Sequence, residues 1–484
     1  MRVAIVRQDY PPYGGDERFV EAALEALLER NVAISLYARA WPQTKLQLIE
    51  PVLCNPFYIG RLWRDWGFAR AVCRAVAKAE PDLVESWERL LCCDIYRARD
   101  GVHAVALEEW ARVESSWSRQ ALRLNPRHRY LLAMERRIYA SPWLRAVICR
   151  SRMVRDQIRD TFGVGEDRLH VIHDAVDSDA FHPGLKSLRG WVRERSRISD
   201  SATLFLLKGA GYRRHGVPAA IAALAQLSPT AHLMILGEER NPDHFAHLAQ
   251  HHGVADRVTF VGPQIEPKPY YGAADALVLP TLYDPSPAAA LEAMACGLPV
   301  ITSTKSGAAE LVRDHDAGRV CDALDVAALA GHMRHLQEDS ERMRLGGNAR
   351  AAALGLSPAA ITLKLVLLYR DLLAATATAK AQSIRGAGTA GSAGAGHAVV
   401  SSVRGAAMTQ HSAMDLVPPK SLAPRGATTV AREMPMDDGK PPPPVLEWRV
   451  DPDAAPPEVA RSLTLEIARP SRSSRDPPHG SNRG

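Results

Sequence analysis

Short apolar runs alternate with helical stretches along the first three quarters of the chain. Val3-Ala-Ile-Val6 is followed by a glycine-containing loop, and Phe19 to Arg30 then places Phe19, Ala23, Leu24, Leu27 and Leu28 on one helical face. Val32-Ala-Ile-Ser-Leu-Tyr37 is a second apolar run and completes a strand–helix–strand unit. The pattern restarts at Thr203–Leu207, passes a loop at Gly209–Gly216, and continues through His232–Leu236, Val258–Val261, Ala276–Leu279 and Pro299–Thr302, with helical segments between. Short buried strands repeated between helices predict an α/β fold with parallel, doubly wound sheets. Two such domains are expected, at 1–177 and 178–358, with a hinge near Asp177–Pro183 and a helix at Ala359–Leu373.

Beyond Ala374 this patterning stops. Arg385–Gly396 is a low-complexity run, Pro441–Pro444 is a proline run, and the end is rich in Arg, Ser and Pro. Such composition cannot bury enough apolar surface to offset chain entropy, so 375–484 is expected to be a disordered tail. A length of 484 residues exceeds one domain, and 46% hydrophobic residues suffice for globular cores. The net charge of +6 is mild for this length and gives no sign of a nucleic-acid partner. Seven scattered cysteines without a Cys-x-x-Cys pair read as reduced thiols rather than a disulfide frame or a zinc site. Val3–Val6 is too short for a signal-peptide core, and no apolar run approaches the roughly 20 residues of a membrane span. A cytoplasmic location is expected.

One segment carries more chemistry than the rest: Tyr283-Asp-Pro-Ser-Pro-Ala-Ala-Ala-Leu-Glu-Ala-Met-Ala-Cys-Gly-Leu-Pro-Val-Ile301. Ser286 suits a helix N-cap, Pro287 the first helical position and Gly297 the exit. A helix beginning there leaves the amides of Ala288 and Ala289 unpaired, and with the positive end of the dipole they make a seat for phosphate. Asp284 precedes the helix, and Glu292 lies five residues in, about 7.5 Å along the axis. A pyrophosphate at the helix tip then has one sugar within reach of Asp284 and a ribose diol within reach of Glu292. That is the shape of a nucleotide-sugar.

Acid-x7-acid followed by Ala-Met-Ala-Cys-Gly-Leu-Pro-Val resembles the signature of the retaining GT-B glycosyltransferases of family 4, including the glucosyltransferases of lipopolysaccharide core assembly. The likeness continues through Met1–Gln8, Gly14-Gly15, Cys93–His103 and Lys305–Leu311, and covers roughly residues 1–374. It implies two Rossmann-like domains facing an interdomain cleft, the first on the acceptor side, with the last helix (359–374) crossing back to the first domain. It also implies transfer of a hexose from a nucleoside diphosphate, UDP foremost, to a glycolipid or oligosaccharide acceptor, with no cofactor and no metal. In the family the Gly14-Gly15 loop approaches the donor phosphates, and the loop of Asp100 and His103 faces the acceptor and the reactive carbon.

Taken alone, Gly14-Gly15 suits a plain turn as well as a phosphate loop, because the later glycines of a dinucleotide fingerprint are absent. Arg213-Arg214-His215-Gly216 is a basic turn by itself. Opposite a diphosphate on the Pro287 helix, Arg214 and His215 meet leaving-group charge. Asp177-x-Asp179 and Asp314-x-Asp316 match an acidic metal pattern, at a spacing that arises readily by chance. A basic-aromatic stretch (Trp110, Arg112, Trp117, Arg119, Arg123, Arg127, Arg129, Tyr130, Arg136, Arg137, with Trp63, Arg64 and Trp66 upstream) suits a solvated helix face or an anionic membrane surface. The resemblance, whose acceptors are membrane-anchored and phosphorylated, favours peripheral attachment to the inner face of the cytoplasmic membrane.

Several positions depart from the family pattern. His215 replaces a usual lysine, Asp16 a small residue, Ala288 an asparagine or glycine and Arg150 an asparagine, while Asp174 lies in an altered His173-Asp-Ala-Val-Asp177 run. A carboxylate at Asp16 about 6 Å from a phosphate opposes binding by roughly 2–3 kcal/mol at an effective dielectric of 20. Capping the next helix turns it away. These departures and the long tail favour a second reading, a catalytically weakened relative acting as a nucleotide-sugar-binding or scaffold protein; a third reading is a nucleotide-sugar epimerase, which needs no acceptor.

Overall fold

The computed structural model of the protein describes residues 1–8, 27–28, 31–40 and 49–388. The apolar runs form two all-parallel sheets. The first contains β1 (Arg2–Val6), β2 (Ala33–Ala38), β3 (Glu50–Leu53), β4 (Leu83–Ser86), β5 (Ile95–Ala98), β6 (Ala146–Cys149) and β7 (Leu169–Val171), in the order β3-β2-β1-β4-β5-β6-β7. The second contains β8 (Thr203–Lys208), β9 (Ala231–Leu236), β10 (Val258–Gly262), β11 (Ala276–Leu279), β12 (Val300–Ser303) and β13 (Gly318–Cys321), in the order β10-β9-β8-β11-β12-β13. β6 and β11 are buried at every position, as strands covered by helices on both faces must be.

Each sheet reverses its winding once, between β1 and β4 and between β8 and β11. Loops leaving the carboxyl ends of those strands diverge and open a crevice. The loop after β8 holds Arg214, and that after β11 holds Asp284. On the first sheet Arg89 follows β4 and Asp100 follows β5.

The last helix runs from Pro358 to Gly388, past the expected Leu373. Its first half lies on the first sheet, burying Ile361, Leu365 and Tyr369. The Tyr369 hydroxyl donates to Glu85 on β4, which also accepts from buried Arg97 at 2.7 Å. Arg145 donates to the Leu372 carbonyl. Just before this helix, the Leu356 carbonyl accepts from the Val176 amide at 2.9 Å, and Arg350, on the preceding Asp339–Leu354 helix, donates to the carbonyls of Ser178, Phe181 and Ala295. Residues 375–388 therefore continue a helix where a disordered tail was expected, because their alanines, Lys380, Gln382 and Arg385 are good helix formers. The chain from 389 onward, Gly14, Gly15, Asp16 and most of the Phe19–Arg30 helix lie outside the described residues. No single described helix is long and apolar enough to cross a membrane.

The cysteine expectation is corrected. Cys73, on the Gly60–Ala79 helix, forms a disulfide with Cys92, in the turn after β4, with their Cα atoms 5.7 Å apart. Cys54, Cys93, Cys149, Cys296 and Cys321 remain buried thiols. The pair escapes spacing rules because its members come from different elements that meet only on folding. Closing a loop over a sequence separation of 19 restricts the unfolded chain by about 3 kcal/mol. Cys73→Ser is expected to lower the unfolding free energy by about that amount, read as a reduced urea midpoint. An unchanged midpoint in non-reducing buffer means that the bond does not form in solution.

Candidate active site

The segment leaving β11 is fastened to the loop after β12. The Asp284 amide donates to the Lys305 carbonyl at 3.1 Å, and the Gly307 amide returns a bond to the Asp284 carbonyl at 2.8 Å. A Cβ at Gly307 would stand 1.8 Å from the Pro285 carbonyl oxygen, so only glycine fits this close approach. The helix spans Ala288–Ala295 with Pro287 as its N-cap, one residue later than predicted. Ser286 does not cap it. Its amide instead donates to Asp284 Oδ1 at 3.1 Å, a local turn that competes with capping. The amides of Ala288 and Ala289 have no acceptor among the described residues.

Tyr283, the first residue of the same motif, spans the two domains. Its hydroxyl accepts from the Val102 amide at 3.0 Å and donates to Gln157 Oε1 at 2.7 Å. Gly101, at φ +67°, makes room for it, since a Cβ there would lie 2.1 Å from that hydroxyl. Asp100 and His103 flank the junction. Arg89 bonds both Asp100 (2.9 Å) and Glu135 (2.8 Å), and Glu135 accepts from the His103 amide at 3.0 Å. His103 Nε2 lies 3.0 Å from His128 Nδ1. Burial, with the positive charge of Arg89 and the neighbouring His128 adding, pushes the His103 imidazole down to about 3, so the ring is neutral near pH 7. At Asp100 burial acts upward, but Arg89, Arg99 and Arg150 outweigh it and hold the carboxyl below its ordinary range.

Asp100, His103, Arg214, Asp284 and Ala288 line one cavity of about 480 Å³ between the domains. The Arg214 guanidinium stacks on Trp110, 3.9 Å from the ring centroid, and has no carboxylate partner among the described residues. Burial pushes its pKa down from the ordinary arginine value. Trp110 thus faces the cleft rather than an outer surface. Arg112 is likewise engaged, bonding Glu109 (2.9 Å) and, across the cleft, Asp322 (2.8 Å).

Three predicted positions do not line this cavity. His215 turns into its own loop, with Nδ1 3.3 Å from the Gly211 carbonyl oxygen. Ala289 is buried in the helix start. Glu292 is only 4% exposed, and its Oε2 accepts from Lys208 Nζ (2.5 Å) and the Tyr271 hydroxyl (2.6 Å). Neither Lys208 nor Tyr271 was singled out in the sequence; a lysine ending an apolar run was the available signal. The two Asp-x-Asp pairs are occupied otherwise: Asp177 accepts from the amides of Asp179 and Ala180, Asp314 pairs with Arg152, and Asp316 pairs with Arg319 and Arg344. No cluster of three or more potential metal ligands occurs among the described residues.

Two of the departures prove to be one feature. Arg150 Nε donates to Asp174 Oδ2 at 2.7 Å, both side chains being 6% exposed, and Arg150 also reaches the Arg99 carbonyl at 3.3 Å. The charge that Arg150 brings into the cavity wall is compensated by Asp174 behind it.

Residues 13–180 match the family described as Glycosyltransferase Family 4, and residues 192–352 match Glycosyl transferases group 1. The chain belongs to the family 4 glycosyltransferases. It is 26% identical to a probable transglycosylase of Burkholderia thailandensis, over 70% of this chain and 88% of that protein. Identity to the lipopolysaccharide glucosyltransferase WaaG of Escherichia coli K12 is 23%, over 66% of this chain and 85% of WaaG. A crystal structure of WaaG matches with a TM-score of 0.64 at 22% identity, covering 75% of this chain and 98% of that one. HepE of Anabaena, in complex with UDP and glucose, matches at 0.58 and 18%, covering 77% and 100%. The shared fold is GT-B: two parallel-sheet α/β domains around a cleft.

Removing either member of a buried ion pair strands the other charge and costs about 3–5 kcal/mol. Arg150→Met and Asp174→Leu are each expected to destabilise this family 4 chain by about that much in urea unfolding. The double variant should lose clearly less than the sum. Additive losses would mean that the pair is not coupled.

Proposed function

We propose that this chain is a retaining hexosyltransferase. In this reading it moves a sugar from a nucleoside diphosphate, UDP foremost, to a hydroxyl of a glycolipid or polysaccharide in bacterial envelope synthesis, without a metal. The observation that carries the reading is the cavity in which Arg214, Asp284 and the open Ala288 amide of one domain face Asp100 and His103 of the other. HepE's complex with UDP and glucose supports the choice of nucleotide.

The diphosphate rests on the amides at the helix start and on Arg214, a cation at the cavity wall held in place by its stacking on Trp110. Asp284 takes a hydroxyl of the donated sugar. Neutral His103 and the ionised Asp100 hold the reacting side. The acceptor oxygen bonds to the anomeric carbon as its bond to the phosphate oxygen breaks on the same face. The hydroxyl proton passes to the departing diphosphate, so no protein nucleophile is needed. The inward-turned His215 favours a second reading, donor binding without turnover.

The acceptor side carries a surface suited to a membrane. The Ser116–Leu124 helix buries no side chain in the protein; Trp117 is 87% exposed and stands with Arg119 and Arg123 on that helix. Phe57, Ile59 and Trp63 are exposed at the start of the Gly60–Ala79 helix, which the Arg127–Asp65 pair (3.2 Å) ties to the Pro126–Tyr139 helix that follows Ser116–Leu124. Apolar side chains among arginines suit an anionic lipid surface.

Two measurements test these readings. UDP-, GDP- and ADP-sugars are screened by thermal shift, since a ligand at 100-fold its dissociation constant adds about 2.7 kcal/mol. Transfer or hydrolysis is then assayed on the binder. Asp284→Asn and Arg214→Ala are expected to cut turnover by about 10²–10³ while the melting temperature holds. Binding without any turnover would favour the scaffold reading. For the surface, sedimentation with anionic vesicles is expected to fall on combining Trp117→Ala with Phe57→Ala and to be weak with zwitterionic vesicles; equal sedimentation throughout counts against membrane contact.

A further inference from the structure

Lys208, Tyr271 and Glu292 come from three elements of the second domain: the end of β8, the Lys268–Ala273 helix and the second turn of the Ala288–Ala295 helix. Both donors converge on one oxygen, with Lys208 Nζ at 2.5 Å and the Tyr271 hydroxyl at 2.6 Å from Glu292 Oε2. Oε1 takes no hydrogen bond from the described residues. The ammonium has three hydrogens, and its contact with Glu292 uses one. The Lys208 side chain stays 23% exposed whereas Glu292 falls to 6%, so the cation lies on the open side of the pair. A carboxylate this buried is expensive without a charged partner. Lys208 supplies that partner and still has donors to spare.

A free acceptor oxygen beside a cation with spare hydrogens complements neighbouring hydroxyls, one donating and one accepting. Glu292 lies four residues beyond Ala288, about 6 Å along the helix from the cavity lining. We infer that Lys208 is a donor-binding residue: with Glu292 it forms a two-part receptor for the ribose diol, Oε1 accepting from one hydroxyl and Nζ donating to the other. This rests on the proposed nucleotide-sugar chemistry. It adds a residue seven positions before His215, where the family's usual lysine is replaced.

The test is calorimetric binding of UDP and of 2′,3′-dideoxy-UDP to the full chain, to Lys208→Met, to Lys208→Arg and to Glu292→Gln. Wild type is expected to prefer UDP by about tenfold or more, as hydrogen bonds to charged groups allow. Lys208→Met should lose that preference, weakening UDP while leaving the dideoxy compound unchanged, and Lys208→Arg should recover part of it. Melting curves identify any variant that fails to fold, and Lys208→Met combined with Glu292→Gln then replaces the single change, because it leaves no unpaired charge. Equal weakening of both ligands, or none, in a folded variant overturns the inference. If Glu292→Gln alone erases the preference while Lys208→Met keeps it, the role of Lys208 fails and the nucleotide-sugar reading stands. If wild type binds no nucleoside diphosphate, with UDP, GDP and ADP all tried, that reading fails and takes the inference with it.

Discussion

Tyr283 reaches from one domain into the other, and its hydroxyl takes the Val102 amide while donating to Gln157. The bonds fix the distance between two loops that otherwise belong to separate cores. Asp100 and His103 follow from one side of this contact, Asp284 and the Ala288 helix from the other. Gly101 has no side chain because the phenol occupies that space. The cavity has its shape because this crossing is tight and oriented, and hydrogen bonds sheltered from water hold orientation better than exposed ones.

The electrostatics of the cavity follow from which cations already have partners. Arg89 is shared between Asp100 and Glu135, Arg127 faces Asp65, and Arg150 is matched by Asp174. Arg214 is instead stacked on Trp110. A guanidinium on a ring face keeps its in-plane donors directed outward, so it is poised for an oxyanion without first breaking a salt bridge. Pairing fixes Arg89, Arg127 and Arg150 in the wall, while Arg214 keeps its donors for a ligand.

Much of the fold was legible in the chain. Strands sandwiched between helices must be apolar throughout, and β8, β9, β11 and β12 appeared within a residue or so of the runs that predicted them. The Tyr283–Ile301 motif was legible because a helix start, two acids and a glycine exit leave few other uses. What escaped was non-local. Arg150 and Asp174 read as separate oddities until the fold joined them, and Cys73 and Cys92 lie on different elements. Lys208 lies one residue past the Thr203–Leu207 run, and nothing in the local sequence joins it to Glu292. Ser286 looked like a cap because nothing in the local sequence shows that Asp284 claims its amide first.

The last helix has a consequence for how the two lobes relate. Arg97 satisfies one oxygen of Glu85 beneath the first sheet, and Tyr369 satisfies the other. A fragment ending before that helix would assemble the sheet with one oxygen of Glu85 left unsatisfied beside Arg97, and with a bare groove where Ile361 and Leu365 belong. The amino-terminal lobe therefore borrows its keystone from the far side of the polypeptide, and is finished only after the lobe between them has been made.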